Sequence, residues 1–217
     1  DARRDTVRLV RSLLEWDQAR WLAEQRDPAN PLIVAAFQAL VAKRAERVPL
    51  DYLIGEREFY GRSFLVEPGA LIPRPETEFV VEAALAVLPA TGSPTVVDVG
   101  TGTGCIALTL AAERPTWSIT AVDLSPDALA LARRNARRLG LAGQVTFLEG
   151  SLLEPVAGPI DLIVSNPPYV PLRDRPTLAA EVRDHEPALA LFGGEDGLEV
   201  IRALVPASVS RLGPGGY

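Results

Sequence analysis

"TVVDVGTGTGCIAL", residues 95–108, decides the architecture of this chain. Its first part is short, apolar and β-branched, the composition of a buried strand. Glycines at 100, 102 and 104 then permit positive φ and let a ligand approach the backbone without side-chain interference. From Cys105 to Glu113 the residues read as a helix. Beyond it the same alternation goes on. "SITAVD" (118–123), "VTFLEG" (145–150) and "DLIVSN" (161–166) are further strands, and residues 126–139 are a further helix. Strands alternating with helices predict an α/β fold, with a parallel sheet covered on both faces. The ligand site of such a sheet lies at the carboxyl ends of its strands, where every motif below is found.

Two cofactor classes use a glycine loop of this kind. Dinucleotide enzymes carry G-x-G-x-x-G/A, which Gly102, Gly104 and Ala107 satisfy in its looser form. Enzymes that use S-adenosyl-L-methionine (AdoMet) carry an acid two residues before a denser G-x-G-x-G, and Asp98, Gly100, Gly102 and Gly104 fit that form better. In either class a carboxylate at the end of the next strand accepts hydrogen bonds from two ribose hydroxyls, and Asp123 stands there. A plain βα turn is the bland account of the glycines. Three at alternate positions, with an acid after the next strand, argue against it. For Asp123 alone, a helix-cap carboxylate ahead of Ser125 and Pro126 is an equally good account. The loop by itself does not choose between the two cofactors.

The bulk numbers bound the rest. The 217 residues suit one ordinary domain with a small appendage, and 47% hydrophobic with 23% charged residues is globular composition. The net charge is -6, with nine Lys/Arg and seven Asp/Glu in the first fifty residues against thirteen and twenty-one in the remainder. An acidic body argues against a protein that chiefly grips nucleic-acid phosphates. One cysteine, Cys105, and one histidine, His185, leave no intrachain disulfide and no basis for a Cys or His metal cluster. A reducing compartment, the cytoplasm, is expected, and no run of apolar residues is long enough to span a membrane. The absence of Met implies that position 1 is not a native start.

Residues 1–50 read as helices broken at "RDPANP" (26–31), residues 56–69 as a hairpin turning near Gly61, and residues 72–88 as an amphipathic helix opened by two prolines. The expected division is a helical domain over 1–50, a hairpin linker over 51–75 and the sheet domain over 76–217. "LGPGGY" (212–217) looks like the turn into a further strand, so strand four is expected to be an exposed edge of a sheet lacking its last strands.

The fourth strand ends in Asn166-Pro167-Pro168-Tyr169. Two prolines alone are usually turn punctuation. After a G-x-G-x-G loop, however, this quartet resembles the [NDS]-P-P-[YFW] motif of amino methyltransferases. A planar amide or exocyclic amine is a poor nucleophile because its lone pair is delocalised. The Asn oxygen and the carbonyl of the first proline can each accept one N–H of such an NH2 group, aiming the lone pair and favouring the charge that develops on nitrogen. The prolines keep that carbonyl rigid. Tyr169 can pack on the flat group. No general base is required before transfer.

Adenine-N6, guanine-N2 and glutamine-N5 methyltransferases share this motif. The order of a helical amino-terminal domain, a hairpin, "LIPRPETE" (71–78), "DVGTGTGCIAL" (98–108), "VSNPPYVP" (164–171) and "EVRDHEPALALFGGEDGL" (181–198) resembles the HemK/PrmC family of release-factor glutamine methyltransferases, over nearly the whole chain. The resemblance implies a Rossmann-like class I AdoMet-dependent methyltransferase sheet. It also implies transfer of methyl to the glutamine N5 of the Gly-Gly-Gln motif in class 1 peptide-chain release factors, with S-adenosyl-L-homocysteine as product. It assigns Gly100, Thr101, Gly102, Thr103 and Gly104 to AdoMet, Asp123 to its ribose, and Ser151 and Leu152 to the neighbourhood of the adenine. Such families often have Asp at the position of Ser151. Asn166, Pro167, Pro168 and Tyr169 would hold the glutamine amide, Asn166 also bordering AdoMet. Arg74, Pro75 and Glu76 would close over the methionine end. The helical domain would help dock the release factor. Family members continue for several more strands. A monomer without stable nucleic-acid or membrane association is expected.

Four single residues have bland and sharp readings. His185, in "RDHEP", reads as structural or as part of a substrate loop rather than catalytic. Cys105 is either a low-pKa thiol at a helix start or a small packing residue. Trp16 and Trp21 read as helix packing with a face open to a partner. The rival functions are a nucleic-acid amino methyltransferase, which needs a basic recognition surface, a non-catalytic AdoMet- or nucleotide-binding module, which has no use for the amide clamp, and a dinucleotide oxidoreductase, which leaves the Asn-Pro-Pro-Tyr loop unexplained.

Overall fold

The computed structural model describes residues 2–217. Helices α1 (Ala2–Leu14), α2 (Gln18–Glu24) and α3 (Pro31–Ala45) come first. Asp17 caps α2 by accepting from Arg20 N at 2.8 Å, and Asn30 caps α3 by accepting from Leu32 N at 2.9 Å. Pro31 at the first position of α3 lacks the N–H that a helix start cannot use anyway. A short helix, α4 (Leu50–Ile54), ends at Gly55 with φ +85° and leads into the hairpin of β1 (Glu56–Phe59) and β2 (Arg62–Leu65). Tyr60 and Gly61 both have positive φ, the two-residue turn whose twist matches paired strands.

The helix expected over 72–88 starts later. Ile72 and Arg74 each precede a proline and are held out of helical geometry, so a 3-10 turn at Pro75–Thr77 precedes α5 (Glu78–Val87).

From Thr95 the order is β3 (Thr95–Val99), α6 (Cys105–Glu113), β4 (Ser118–Asp123), α7 (Pro126–Arg138), β5 (Val145–Glu149) and β6 (Leu162–Ser165). The four strands form one parallel sheet in the order β5-β4-β3-β6. Val96, Val97, Ala121 and Val122 in its centre are wholly buried. On one face α6 is buried at every position from Cys105 to Ala111, between the sheet and its neighbours. Val97, Val99 and Val122 meet Leu153, Val156 and Leu204 on the other. Helices α8 (Ala180–His185), α9 (Ala188–Leu191) and α10 (Glu199–Arg211) follow. Tyr217 lies beside β6, its N–H donating to Asp161 O at 3.0 Å while its carbonyl accepts from Ile163 N at 2.9 Å, so the β6 edge is met at this end. Among the described residues, no helix is long and apolar enough to cross a membrane.

Two side chains fix the site's neighbourhood across long sequence separations. Asn135 of α7, fully buried, donates to Thr103 O at 2.9 Å and to Leu65 O at 3.1 Å and accepts from Leu65 N at 2.7 Å. A buried amide that is this well satisfied ties the hairpin to the glycine loop. The helical domain meets the body through Arg44, which pairs with Asp5 at 3.0 Å and with Glu181 of α8 at 3.1 Å. His185 adds a contact from its Nε2 to Glu46 O at 3.2 Å. That is a tether between domains, in keeping with a structural role.

Candidate active site

A cavity of about 280 Å³ opens at the carboxyl ends of the parallel strands. The loops after β3, β4, β5 and β6 wall it, with the 69–77 strap and the 187–192 segment on the remaining sides. Of the residues singled out from the sequence, Arg74, Gly100, Thr101, Gly102, Thr103, Asp123, Ser151, Leu152, Asn166, Pro167 and Pro168 line it. Gly104, Glu76 and Tyr169 lie outside its wall. Glu76 is exposed, and Tyr169 is 61% exposed beside the site.

The glycine loop is folded by its own backbone. Gly100 and Thr101 N–H groups both donate to Val122 O, at 2.8 and 3.0 Å, and Gly104 N donates to Thr101 O at 2.8 Å. Gly100, Gly102 and Gly104 all have positive φ. A Cβ on Gly104 would lie 3.1 Å from Ala132 Cβ, so this glycine allows α6 and α7 to pack closely. A Cβ on Gly100 or Gly102 would meet no protein atom within 4 Å, so these two leave bare backbone towards the cavity.

Asp123 accepts from Gly102 N through Oδ2 at 2.8 Å and from Ser125 N through Oδ1 at 2.9 Å. A carboxylate has about four acceptor sites, so each oxygen retains one for a diol. Leu124, 55% exposed, adds an apolar wall beside it. Bare glycine backbone, a carboxylate with acceptor sites left open and an apolar wall suit the ribose and adenine of a nucleoside cofactor, so the residues fit AdoMet.

Asp98 lies beneath the loop, fully buried. Its Oδ2 accepts from Thr101 Oγ1 at 2.6 Å and from Ala107 N at 3.2 Å, whereas Oδ1 has no partner among the described residues. Burial pushes this carboxyl up to about 7, against the pull of those two donors. Between about pH 4 and 7 the folded chain therefore keeps a proton that the unfolded chain has released. The group's stabilising contribution is complete below about pH 4 and is lost as pH rises through 7. Asp98→Asn is expected to flatten the fall in Tm between pH 5 and 8 by a few degrees, read by thermal melts across that range. An unchanged pH slope would sink this assignment.

Cys105 behaves otherwise than a low-pKa thiol would. It is buried at the start of α6, and desolvation pushes its thiol up to about 12. The helix N-terminus does not offset that burial, and the residue is packing.

At the end of β6, Ser165 Oγ donates to Val99 O at 2.7 Å, and just beyond it Asn166 Nδ2 donates to Thr77 Oγ1 at 3.1 Å. The Asn166 amide so held leaves Oδ1 free to accept, and no described residue donates to Pro167 O. Two acceptors one residue apart, on a proline-stiffened loop, can take both N–H groups of one NH2.

The loop has a buttress that sequence reasoning did not identify as one. Val170 pairs with Phe192, Val170 N donating to Leu191 O at 2.9 Å and Gly193 N to Val170 O at 3.1 Å. A Cβ on Gly193 would fall 2.6 Å from Pro168 O. Gly197, at φ +81°, lies against Tyr169 O. The "GGEDG" glycines thus let one backbone lie directly on another.

Glu186 is the second omission. Its side chain, 2% exposed, accepts from Arg74 Nη2 at 2.6 Å and from Ile72 N at 3.3 Å. Arg74 lines the cavity while its charge is spent on Glu186. Only the "PRPE" and "HEP" proline punctuation hinted at a fixed strap.

Comparison with known proteins agrees with this geometry. The "PrmC N-terminal domain" family model matches residues 1–55, and "Methyltransferase small domain" matches residues 77–183. A release factor glutamine methyltransferase of Geobacter sulfurreducens is 46% identical over 218 aligned residues, covering 100% of this chain and 75% of the relative. One of Deinococcus radiodurans is 47% identical, covering 98% of this chain and 75% of the relative. The chain belongs to the release factor glutamine methyltransferase family. Its HemK/PrmC resemblance, its AdoMet-dependent methyltransferase class and its Rossmann-like sheet are thereby borne out. A methyltransferase of Pyrococcus furiosus, 21% identical with TM-score 0.53 over 81% of this chain and 76% of its own, shares the fold. Within the family frame, the helical domain carries one family match and the sheet domain the other.

Proposed function

We propose that this protein, working in the cytoplasm, transfers the methyl group of AdoMet to the N5 amide nitrogen of the glutamine in the Gly-Gly-Gln motif of class 1 peptide-chain release factors. Identity of 46–47% to release factor glutamine methyltransferases, running through both domains, carries this reading. A chain with a net charge of -6 gives a nucleic-acid substrate no support.

Gly100, Thr101 and Gly102 would hold AdoMet by backbone contact, with Asp123 on the ribose hydroxyls and Ser151, Leu152 and Leu124 about the adenine. Bound there, AdoMet supplies an electrophilic methyl group on a sulfonium. The chain's own task is to prepare the nitrogen. Asn166 Oδ1 and Pro167 O accept the two amide N–H groups and turn the nitrogen lone pair towards the methyl. As positive charge grows on nitrogen, both acceptors bind more tightly than in the ground state, which lowers the barrier. The carbon–sulfur electron pair stays on sulfur in S-adenosyl-L-homocysteine, and the methylated nitrogen then releases one proton to water. Exposed Tyr169 closes on the flat amide when the release factor docks.

The test is methyl transfer from labelled AdoMet by the natural full-length protein. Acceptors are a class 1 release factor, the same factor with its motif glutamine changed to alanine, and bulk rRNA and DNA. Label in the intact factor alone is the expected result. Label in nucleic acid, or in the glutamine-less factor, refutes it.

A further inference from the structure

Thr77 ends the strap that walls one side of the cavity, 89 residues from Asn166 in sequence, and its Oγ1 accepts from Asn166 Nδ2 at 3.1 Å. It is 7% exposed. The strap holding it is anchored twice, by Glu186 on Arg74 and Ile72, and by Tyr52 Oη donating to Ala70 O at 2.8 Å, and it closes on itself where Thr77 N donates to Arg74 O at 3.0 Å.

A carboxamide has two ends of nearly the same shape and opposite hydrogen-bonding character. Facing an NH2 group, Asn166 serves only if its oxygen is presented. With Nδ2 presented instead, donor meets donor. The end turned away therefore needs an acceptor. Thr77 Oγ1 is that acceptor, and a hydrocarbon in its place leaves Nδ2–H against an apolar wall. The amide then gains by turning Nδ2 towards the open cavity, which presents the wrong end to the substrate.

We infer that Thr77 is a positioning residue for methyl transfer, holding the Asn166 amide with its oxygen towards the acceptor nitrogen. This rests on the reading that Asn166 binds a substrate NH2. Thr77 acts through Asn166 alone and has no part in moving the methyl group.

Three forms of the full-length protein test it: wild type, Thr77→Val, which keeps the shape and removes the acceptor, and Thr77→Ser, which keeps the hydroxyl. AdoMet affinity, measured by equilibrium dialysis, is expected to agree within about twofold among them, which also reports folding. Leaving a buried donor unsatisfied corresponds to a loss in kcat of about 10- to 100-fold for Thr77→Val, with KM for the release factor little changed. Thr77→Ser is expected to remain within about threefold of wild type by the same reasoning. A Thr77→Val enzyme as fast as wild type overturns the inference. So does an equal loss in the serine form, which would mark a role of shape, or a loss of AdoMet affinity, which would mark a role in the cavity wall. If wild type labels nucleic acid instead of the release factor, the substrate reading falls. The same comparison is then made on that acceptor, whose exocyclic amine makes the same demand on Asn166.

Discussion

Asn166→Ala is expected to lower kcat for release-factor methylation by about 10²- to 10³-fold, the loss seen when one preorganised polar partner of a developing charge is removed. The expectation follows from geometry. Asn166 Nδ2 is engaged by Thr77 and its oxygen is the free end at the cavity. Pro167 O survives the substitution, so one of two acceptors remains and the enzyme retains some activity. AdoMet affinity is expected to change by no more than a few-fold, because Asp123 and the glycine loop are untouched. Single-turnover transfer with saturating AdoMet, alongside equilibrium binding, separates the two quantities. Loss of AdoMet binding with transfer intact in the bound fraction would refute the role given to Asn166.

That experiment addresses a residue legible in the sequence, and the reason is physical. Glycines at 100, 102 and 104, a carboxylate at 123 and Asn-Pro-Pro-Tyr after a strand are local devices. Each is recognisable from what its own few residues are suited to do: adopt positive φ, offer acceptors to a diol, hold a carbonyl rigid. The sheet was legible for the same reason, since β-branched runs and helical periods are local patterns. Thr77 and Glu186 were different. A threonine in "PRPETE" reads as the start of a helix, and only the folded strap brings it to Asn166. Glu186 before a proline reads as surface, yet the fold buries it against Arg74 and the Ile72 amide. Cys105 is the case in which the sequence left two readings open, and the structure bears out packing. Its place at a helix start suggested an activated thiol, but burial overrides any gain from the helix end. Partnerships made across about a hundred residues leave no mark on either partner's neighbours in the chain.

Gly197→Ala tests the part of the site least visible in the sequence. Gly197 sits at φ +81°, and a Cβ there would lie 3.1 Å from Pro171 N and nearer still to Tyr169 O, well inside van der Waals contact. The obstacle is backbone, which cannot swing aside as a side chain can. Either the 193–197 turn moves off or the Tyr169 carbonyl is pushed away, and Tyr169 is continuous with Asn166 and Pro167. A displacement of about 1 Å at a group that aims a reacting atom costs on the order of 10²-fold in rate, and kcat is expected to fall by that much. AdoMet affinity is expected to hold, since the glycine loop and Asp123 lie on other strands. Gly61→Ala is the matched control. It has positive φ in the hairpin turn and nothing within 4 Å of its Cβ, so it carries conformational strain of about 1 kcal/mol without a clash near the site. Its thermal stability is expected to drop while its kcat stays at the wild-type value. If Gly197→Ala behaves like Gly61→Ala, losing stability and keeping kcat, then the "GGEDG" turn supports the fold and not the amide-holding loop, and the alignment of Asn166 must come from the strap alone.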